Sequence, residues 1–369
     1  MVLRRPRHRF VVTRAATLLV ACALVLAAGP ASAVRMTGEQ LPWPPRPMFW
    51  QASLPDPSVV HDGTTWLAVG TGRLGRTRTT TSQYGGWVEG PALLSHTPAW
   101  ARSGFVWAPE VERAPDGGWI AYYSVPVAGL RGAEDRCIGV ATSPALGTPF
   151  VPDDTHPIVC PPAGLAPPAD DPLASGVADL PATGVIDPSS YVDPAGRRFL
   201  LYRTQGQPSS IRMVRLTKDG LHARGTSIEL LRTPGVLENP VMVDRGGWHH
   251  LLLSRGDYGG CGYTTVWRRS SKLRKGWQDA TQHDLLTRRS TGLCGPGGTD
   301  YVEASPASAN RLFLHGWVCD GVNSPCPATY DQRQDPVFDG KRVLYVAQLR
   351  WTRTGPTLGR WVEGPAWQL

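Results

Sequence analysis

The chain alternates between short apolar runs and clusters of Gly, Pro, Asp and Asn, a pattern that predicts many short strands joined by tight turns. One phrase recurs: an acidic or equivalent residue beside proline, a strand, a turn, then a second strand. It is first seen as Asp56-Pro57-Ser58-Val59-Val60, His61-Asp62-Gly63 and Trp66-Leu67-Ala68-Val69. It returns as Ala108-Pro109-Glu110-Val111 with Trp119 to Tyr123, as Asp187-Pro188-Ser189 with Phe199 to Tyr202, and as Glu238-Asn239-Pro240 with Trp248 to Leu253. A weaker fifth copy runs from Ala304-Ser305-Pro306-Ala307 to Arg311-Leu312-Phe313-Leu314-His315-Gly316. The proline markers stand 52, 79, 52 and 66 residues apart. Further strand-like runs lie between copies, such as Cys137 to Thr142, Ile211 to Val214 and Tyr263 to Trp267.

A repeat of roughly 50 residues with about four strands predicts a propeller blade, because one such sheet cannot bury both faces alone and a ring of them can. Five copies predict an all-β, five-bladed β-propeller as a single domain over 34–369. The 79-residue interval holds a Pro-, Ala- and Asp-rich insert, about 151–183, read as a long loop that either rims the site or decorates an edge. Trp87-Val88-Glu89-Gly90-Pro91-Ala92 recurs as Trp361 to Ala366, which predicts equivalent edge positions in blades one and five. Val343 to Leu349 is assigned to the last blade, with mixing of terminal strands as one way to close the ring.

Composition agrees. Of 369 residues, 41 are Gly and 35 Pro, and 41% are hydrophobic, enough for a core and poor for long helices. The formal charge of +8 misleads. Residues 1–33 carry Arg4, Arg5, Arg7, Arg9 and Arg14 and no acid. With the apolar run Ala15 to Ala28 and Ala31-Ser32-Ala33, they read as a signal peptide cleaved near Ala33. Without it, 33 of the 38 Lys and Arg face 30 Asp and Glu, so nucleic acid is not an expected partner. Leu19-Val20-Ala21-Cys22 resembles a lipobox, but the apolar run continues past Cys22, so a lipid anchor is the lesser reading. Arg4-Arg5 lacks the rest of a twin-arginine motif, and no stable membrane insertion is expected because no later segment is long and apolar enough.

The remaining Cys137, Cys160, Cys261, Cys294, Cys319 and Cys326 are even in number and do not have zinc-site spacing. They suggest disulfides in an oxidising compartment. Nearest-neighbour pairing is one of 15 connectivities.

In a propeller, the innermost strand of each blade lines a central channel. Asp56, Asp187 and Glu238 are expected to begin the inner strands of blades one, three and four, and so to converge at one end of that channel. Like charges held together raise at least one pKa, which keeps one carboxyl as an acid while another stays a base. Glycoside hydrolysis needs that division.

These motifs carry a resemblance. Asp56-Pro57-Ser58-Val59-Val60, Trp107-Ala108-Pro109-Glu110-Val111, Ile186-Asp187-Pro188-Ser189 and Glu238-Asn239-Pro240 are similar, in order and spacing, to glycoside hydrolase family 43. That family comprises five-bladed inverting arabinanases, arabinofuranosidases and xylosidases. The similarity spans about Pro55 to Trp351. It implies Asp56 as general base, Glu238 as general acid, and Asp187 as the group that tunes and orients the acid, with acid and base roughly 6.5–9.5 Å apart. It departs from the family in having Asn239 where Gly is commoner and Glu110 where Asp is commoner. The first blade also lacks the family's usual aromatic cluster after its turn. Asn239 thus puts a side chain beside the acid.

Glu110 is placed in the same phase as the catalytic carboxyls, with a structural or substrate-contact role. His315 is placed on the inner strand of blade five; it resembles the family's central histidine beside a metal or water, and is equally readable as a core histidine. Trp107 is a candidate sugar-stacking residue, and Arg73 and Asp257 lie in loops that could approach the site. No cofactor is expected to be required; a structural calcium or other cation near the channel centre, at His315, is an accompanying expectation.

The expected function is that of a secreted inverting hydrolase of arabinose- or xylose-containing polysaccharides or oligosaccharides, acting first on arabinofuranosyl linkages and as a monomer. A β-xylosidase is the alternative within the class, and a catalytically silent sugar-binding propeller the alternative outside it. Binding alone does not need three mutually destabilising carboxylates. No Gly-x-Ser-x-Gly or His-Glu-x-x-His sequence supports a peptidase.

Overall fold

The computed structural model describes residues 41–369 except 83, 172–182, 306–308, 320–323, 335–339 and 366–369. The expected leader, with Cys22, lies outside the described residues, as do Pro306, Ala307 and Ala366.

Five antiparallel sheets form the ring. Blade one orders Ser58–His61, Trp66–Gly70, Arg76–Thr80 and Val88–Glu89 from the centre outward. Blade two orders Phe105–Arg113, Trp119–Pro126, Arg136–Ser143 and Val151–Pro152, and borrows Gly72–Arg73 on its inner side. Blade three runs Val185–Val192, Arg198–Thr204, Ser209–Arg215, Ile228–Thr233; blade four runs Leu237–Arg245, Trp248–Arg255, Thr264–Ser270, His283–Leu286. Blade five runs Cys294–Val302, Arg311–Cys319, Lys341–Trp351, Pro356–Val362. The repeated Trp-Val-Glu-Gly-Pro phrases therefore do occupy matching outer edges.

The fifth copy has a different phase from the one expected. Its inner strand is Cys294–Val302, and Arg311–Cys319 is the second strand. The run Cys294-Gly-Pro-Gly-Gly-Thr299 reads as a turn by composition, yet it pairs with Arg311–Cys319 through two register shifts. His315 thus lies on the second strand of blade five, not the first.

Because side chains alternate along a strand, each middle strand feeds two cores. Ala121 and Tyr123 pack toward blade one, with Leu67, Val69 and Val106. Ile120 and Tyr122 pack toward blade three, with Val185, Leu200 and Tyr202. Blades three and four share Leu201, Leu237, Met242 and Leu253; blades four and five share Leu252, Trp267, Leu314 and Tyr345. That double burial explains why the strands read as unbroken apolar runs instead of alternating ones.

Among the described residues, ring closure does not exchange strands between the first and last blades. The segment before blade one instead lies along blade five: Met48 N donates to Leu344 O and Leu54 N to Arg342 O, both at 2.8 Å. Met48, Phe49 and Leu54 complete a core with Val59 and Trp66 of blade one and Phe313, Leu344 and Val346 of blade five. Three disulfides, Cys137–Cys160, Cys261–Cys294 and Cys319–Cys326, follow the nearest-neighbour pairing. The start of the insert is the edge strand of blade two, and residues 158–171 continue along that edge through bridges of Val159 to Ile138 and to Asp171.

If the closing segment holds the ring, Leu54→Ala, at a fully buried position, should cost about 2–5 kcal/mol. Val88→Ala, at a 60% exposed edge position, should stay within about 0.5 kcal/mol. Urea unfolding midpoints at constant slope compare the two; equal costs would remove the closing role.

Candidate active site

The inner strands share one irregularity. Asp56, Ala108, Asp187 and Asn239 all have left-handed backbones, with φ of 52°, 39°, 57° and 48°, and Gly298 completes the set at 56°. Each of the last four sits inside a register shift of its strand. The residue that follows is Pro57, Pro109, Pro188, Pro240 or Thr299. Proline suits a bulge because it has no N–H to leave unpaired there. At Gly298 a side chain is excluded outright: an added Cβ would meet His315 Nδ1 at 2.5 Å.

At four of these five positions the backbone N–H is satisfied by a side chain from the preceding blade. Asp56 N donates to His315 Nδ1 at 3.0 Å, Ala108 N to Thr71 Oγ1 at 2.9 Å, Asn239 N to Asp187 Oδ2 at 3.2 Å, and Gly298 N to Ser254 Oγ at 2.8 Å.

This alignment refines the expected register. Asp56 and Asp187 occupy the bulge position itself, whereas Glu238 stands one residue before its bulge residue, Asn239. Glu110 stands two residues beyond Ala108, in the position that Asp300 holds in blade five. It is therefore not in phase with the other carboxyls. Its Oε1 accepts from Ser190 Oγ at 2.9 Å, facing the channel interior.

Asp56, Asp187 and Glu238 line one cavity of about 450 Å³ at a mouth of the channel, together with Trp107 and Asn239. Phe105 and Tyr258 add half-exposed aromatic rings to its wall. Glu110 and His315 do not line it. Below the mouth, the bulges and prolines constrict the channel to a space of about 30 Å³. A second cavity of about 640 Å³ opens beyond, lined by Glu110, Glu112, Asp300 and Glu303 among others. Burial raises Glu110 well above the carboxylate range and Asp300 to about 6, and Asp300's charge adds to the shift at Glu110.

The three carboxyls at the mouth differ in surroundings. Asp56 Oδ1 lies 3.3 Å from Arg342 Nη1, and Thr71 Oγ1 donates to its Oδ2 at 2.8 Å. Burial works against its charge, but Arg342 and the Thr71 hydroxyl prevail, and its pKa falls below the ordinary value. Arg342 is itself held over the rings of Tyr258 and Trp317.

Burial raises both other groups. Asp187 reaches about 8, with Glu238's charge the second cause, and Glu238 rises against the pull of Arg203. Arg203 Nη1 stands 3.0 Å from Glu238 Oε2, and its Nε stands 3.8 Å from Asp187 Oδ2. On the other oxygen, Tyr263 Oη lies 2.7 Å from Glu238 Oε1 and 2.8 Å from Asn239 Oδ1. One phenol proton cannot serve two acceptors. The set is satisfied when the Asn239 amide turns its NH2 to Tyr263, which donates to Glu238, or when Glu238 carries a proton on Oε1 and donates to Tyr263, which donates to Asn239. Asn239, where the family more often has Gly, thus belongs to the acid's surroundings.

His315 is fully buried and stacks on Tyr263, with ring centroids 5.7 Å apart. Burial first and Arg342 second push its pKa down to about 3, so it is neutral. Its Nδ1 accepts from Asp56 N, which puts the ring proton on Nε2. Nε2 is buried and has no hydrogen-bond partner among the described residues, so the ring is not a fully satisfied core histidine.

Trp107 borders the cavity with one ring face covered by the Arg136 guanidinium, 3.2 Å from the centroid; only the other face is open to a sugar. Of the two loop candidates, Arg73 is exposed and outside the cavity, and Asp257 is paired with Arg333. The residues that sequence reasoning missed are Arg203, Arg342, Tyr263 and Thr71. They sit on second or third strands, or beyond them, where no motif marks them.

A carboxyl with a raised folded pKa keeps its proton where the unfolded chain has released it, so stability falls as pH rises through that window. For Asp187 the window runs from its ordinary 3.8 to about 8. Asp187→Asn should therefore gain stability relative to the parent as pH rises from about 4 to about 8. Urea unfolding across that range checks this; a pH-independent difference would contradict the assigned shift.

Comparison with known proteins matches this arrangement. The family described as Glycosyl hydrolases family 43 matches residues 46–355. An extracellular endo-α-(1→5)-L-arabinanase of Bacillus subtilis (strain 168) is 24% identical over 308 residues, which cover 76% of this chain and 86% of that protein. Among solved structures, an exo-1,5-α-L-arabinanase from a bovine ruminal metagenomic library aligns with a TM-score of 0.61 at 19% identity, covering 85% of this chain and all of that one. An endo-1,4-β-xylanase of Bacteroides thetaiotaomicron VPI-5482 aligns at 0.62 and 18%, covering 85% and 97%. The family match over residues 46–355, on a five-bladed ring, shows that the chain belongs to glycosyl hydrolases family 43 and is a glycosidase.

Proposed function

We propose that the protein is a secreted, inverting hydrolase of arabinose-containing polysaccharides or oligosaccharides, acting on arabinofuranosyl linkages. The observation that carries the chemistry is the division of the mouth carboxyls: Asp56 held ionised by Arg342 and Thr71, and Glu238 held toward its protonated form by burial. Asp56 takes a proton from water as the water oxygen bonds to the anomeric carbon. The glycosidic C–O bond breaks, and Glu238 gives its proton to the departing oxygen. Asp187, hydrogen-bonded to Asn239 N and close to Arg203, orients the acid's surroundings and resists a second negative charge beside it. Trp107, Phe105 and Tyr258 offer apolar faces to the sugar rings. The reaction as written requires no cofactor.

The arabinose preference rests on the similarity of the chain to arabinanases. Export is supported by three disulfides and by the extracellular relative, together with the leader-like residues 1–33.

Glu238→Gln should lower turnover on natural arabinosides by roughly 10²–10⁴-fold, with a smaller loss on substrates whose leaving group needs no proton. Asp56→Asn should be damaging on every substrate. Near-parental rates for either variant would remove that residue from its role. A panel of linear arabinan, xylan and nitrophenyl arabinosides and xylosides identifies the sugar; a clear preference for xylosides would replace the arabinose reading with the xylosidase one. Proton NMR of the first-formed sugar should show inverted anomeric configuration, and a retained product would rule out the direct displacement by water.

A further inference from the structure

Away from both channel mouths, three side chains from distant parts of the chain converge. His156 and Asp170 belong to the stretch that follows the edge strand Val151–Pro152, and His222 to a turn of blade three. Each offers a ligand atom, and these atoms all lie within 4.8 Å of one another. His156 Nε2 is 3.5 Å from Asp170 Oδ1, and His222 Nδ1 is 3.1 Å from Asp170 Oδ2. The two imidazoles meet edge to face, with centroids 5.9 Å apart. We propose that His156, Asp170 and His222 form a binding site for a divalent transition-metal ion of the zinc class, with water in the fourth position.

The donor set selects the ion. Two imidazoles and one carboxylate suit zinc, cobalt or nickel, whereas calcium and magnesium prefer all-oxygen shells. The spacing suits it as well. Metal–nitrogen bonds of about 2.0–2.1 Å put tetrahedral ligands roughly 3.3 Å apart; the imidazole nitrogens lie 3.5 and 3.1 Å from the two different oxygens of Asp170, and the three ligand atoms lie within 4.8 Å of one another, so a small closing of the set completes the geometry.

A second feature points the same way. His156 Nδ1 is buried and makes no hydrogen bond, and it faces Asp153 Oδ2 at 3.8 Å. Metal-bound imidazoles commonly turn their other nitrogen to a carboxylate, which fixes the tautomer and strengthens the ligand. The other oxygen of Asp153 accepts from Thr155 N at 2.7 Å, so that carboxylate is already oriented.

The three stretches are also anchored independently. Asp153 N donates to Val140 O and Ile158 N to Ile138 O, on either side of His156. Next to Asp170, Asp171 N donates to Ile158 O, and Tyr202 Oη donates to Asp171 Oδ2 at 2.8 Å. Around His222, Thr217 N donates to His222 O, and His222 N to Thr217 Oγ1. The ion would find its ligands largely in position, and it would tie the blade-two edge to the turn of blade three.

The test uses the full chain, freed of metal by a chelator and titrated with zinc chloride by calorimetry, beside His222→Ala and Asp153→Asn. Asp153→Asn should weaken binding by about 10–100-fold, and His222→Ala by more than that. The half-exposed His222 can be truncated without disturbing the core, which circular dichroism checks. Cobalt bound to the parent should give the visible absorption of a tetrahedral ion, absent in His222→Ala. Zinc should raise the unfolding temperature of the parent and not of that variant. The proposal is overturned if parent and His222→Ala bind zinc alike, or if the parent takes calcium or magnesium at this site in preference to zinc. Hydrolysis by metal-free His222→Ala reads the proposed catalytic carboxyls separately, since none of them contributes to this site.

Discussion

The constraint on which the structure depends is the left-handed backbone residue repeated at the start of, or as a bulge within, every inner strand. A non-glycine residue with positive φ costs roughly 1–2 kcal/mol, and this chain accepts that cost at Asp56, Ala108, Asp187 and Asn239. The hydrogen bonds that hold four of the five bulges come from the preceding blade. Strain within a blade is thus offset by contacts between blades, and the ring is tied at its axis as well as by its five cores. Strain of this kind tends to collect where function needs a fixed geometry. Here it fixes the acids: Asp56 and Asp187 are themselves bulge residues, and Glu238 enters its bulge.

The same arrangement supplies the electrostatics. His315 accepts from Asp56 N with a neutral ring, because burial and Arg342 exclude the charged form. Arg342, with the Thr71 hydroxyl, holds the carboxylate ionised. Across the mouth, Arg203 lies between Asp187 and Glu238 but does not overcome their burial. One arginine on each side thus has opposite results: at Asp56, Arg342 and a threonine hydroxyl outweigh burial, while at Asp187 and Glu238 burial and neighbouring negative charge outweigh Arg203. That difference in environment separates the pKa values of chemically similar groups.

Much of this was written in local sequence. Pro after an acidic or equivalent residue marks four of the bulges, because proline is the residue that loses least at an unpaired ladder position. The fifth was misplaced. Gly298-Thr299 has the bulge without the proline, and Pro306 supplied a false marker seven residues on. A phase error of two residues also merged Glu110 with Asp56, since the motif fixes the strand but not which way each side chain points. Arg203, Arg342, Tyr263 and Thr71 were not legible at all. Their roles come from strands brought side by side only when the ring closes, and an arginine in a strand looks the same whether it meets solvent or a buried carboxyl.

The collar of prolines has one more effect. The channel between its two mouths narrows to about 30 Å³, room for roughly one water. A sugar polymer therefore cannot be threaded through the axis. Any glycan must lie across the face that holds Asp56, Asp187 and Glu238, and both fragments must depart by the side from which the intact chain arrived. How far the glycan extends on either side of the cut is then decided by the loops around that face, not by the bore.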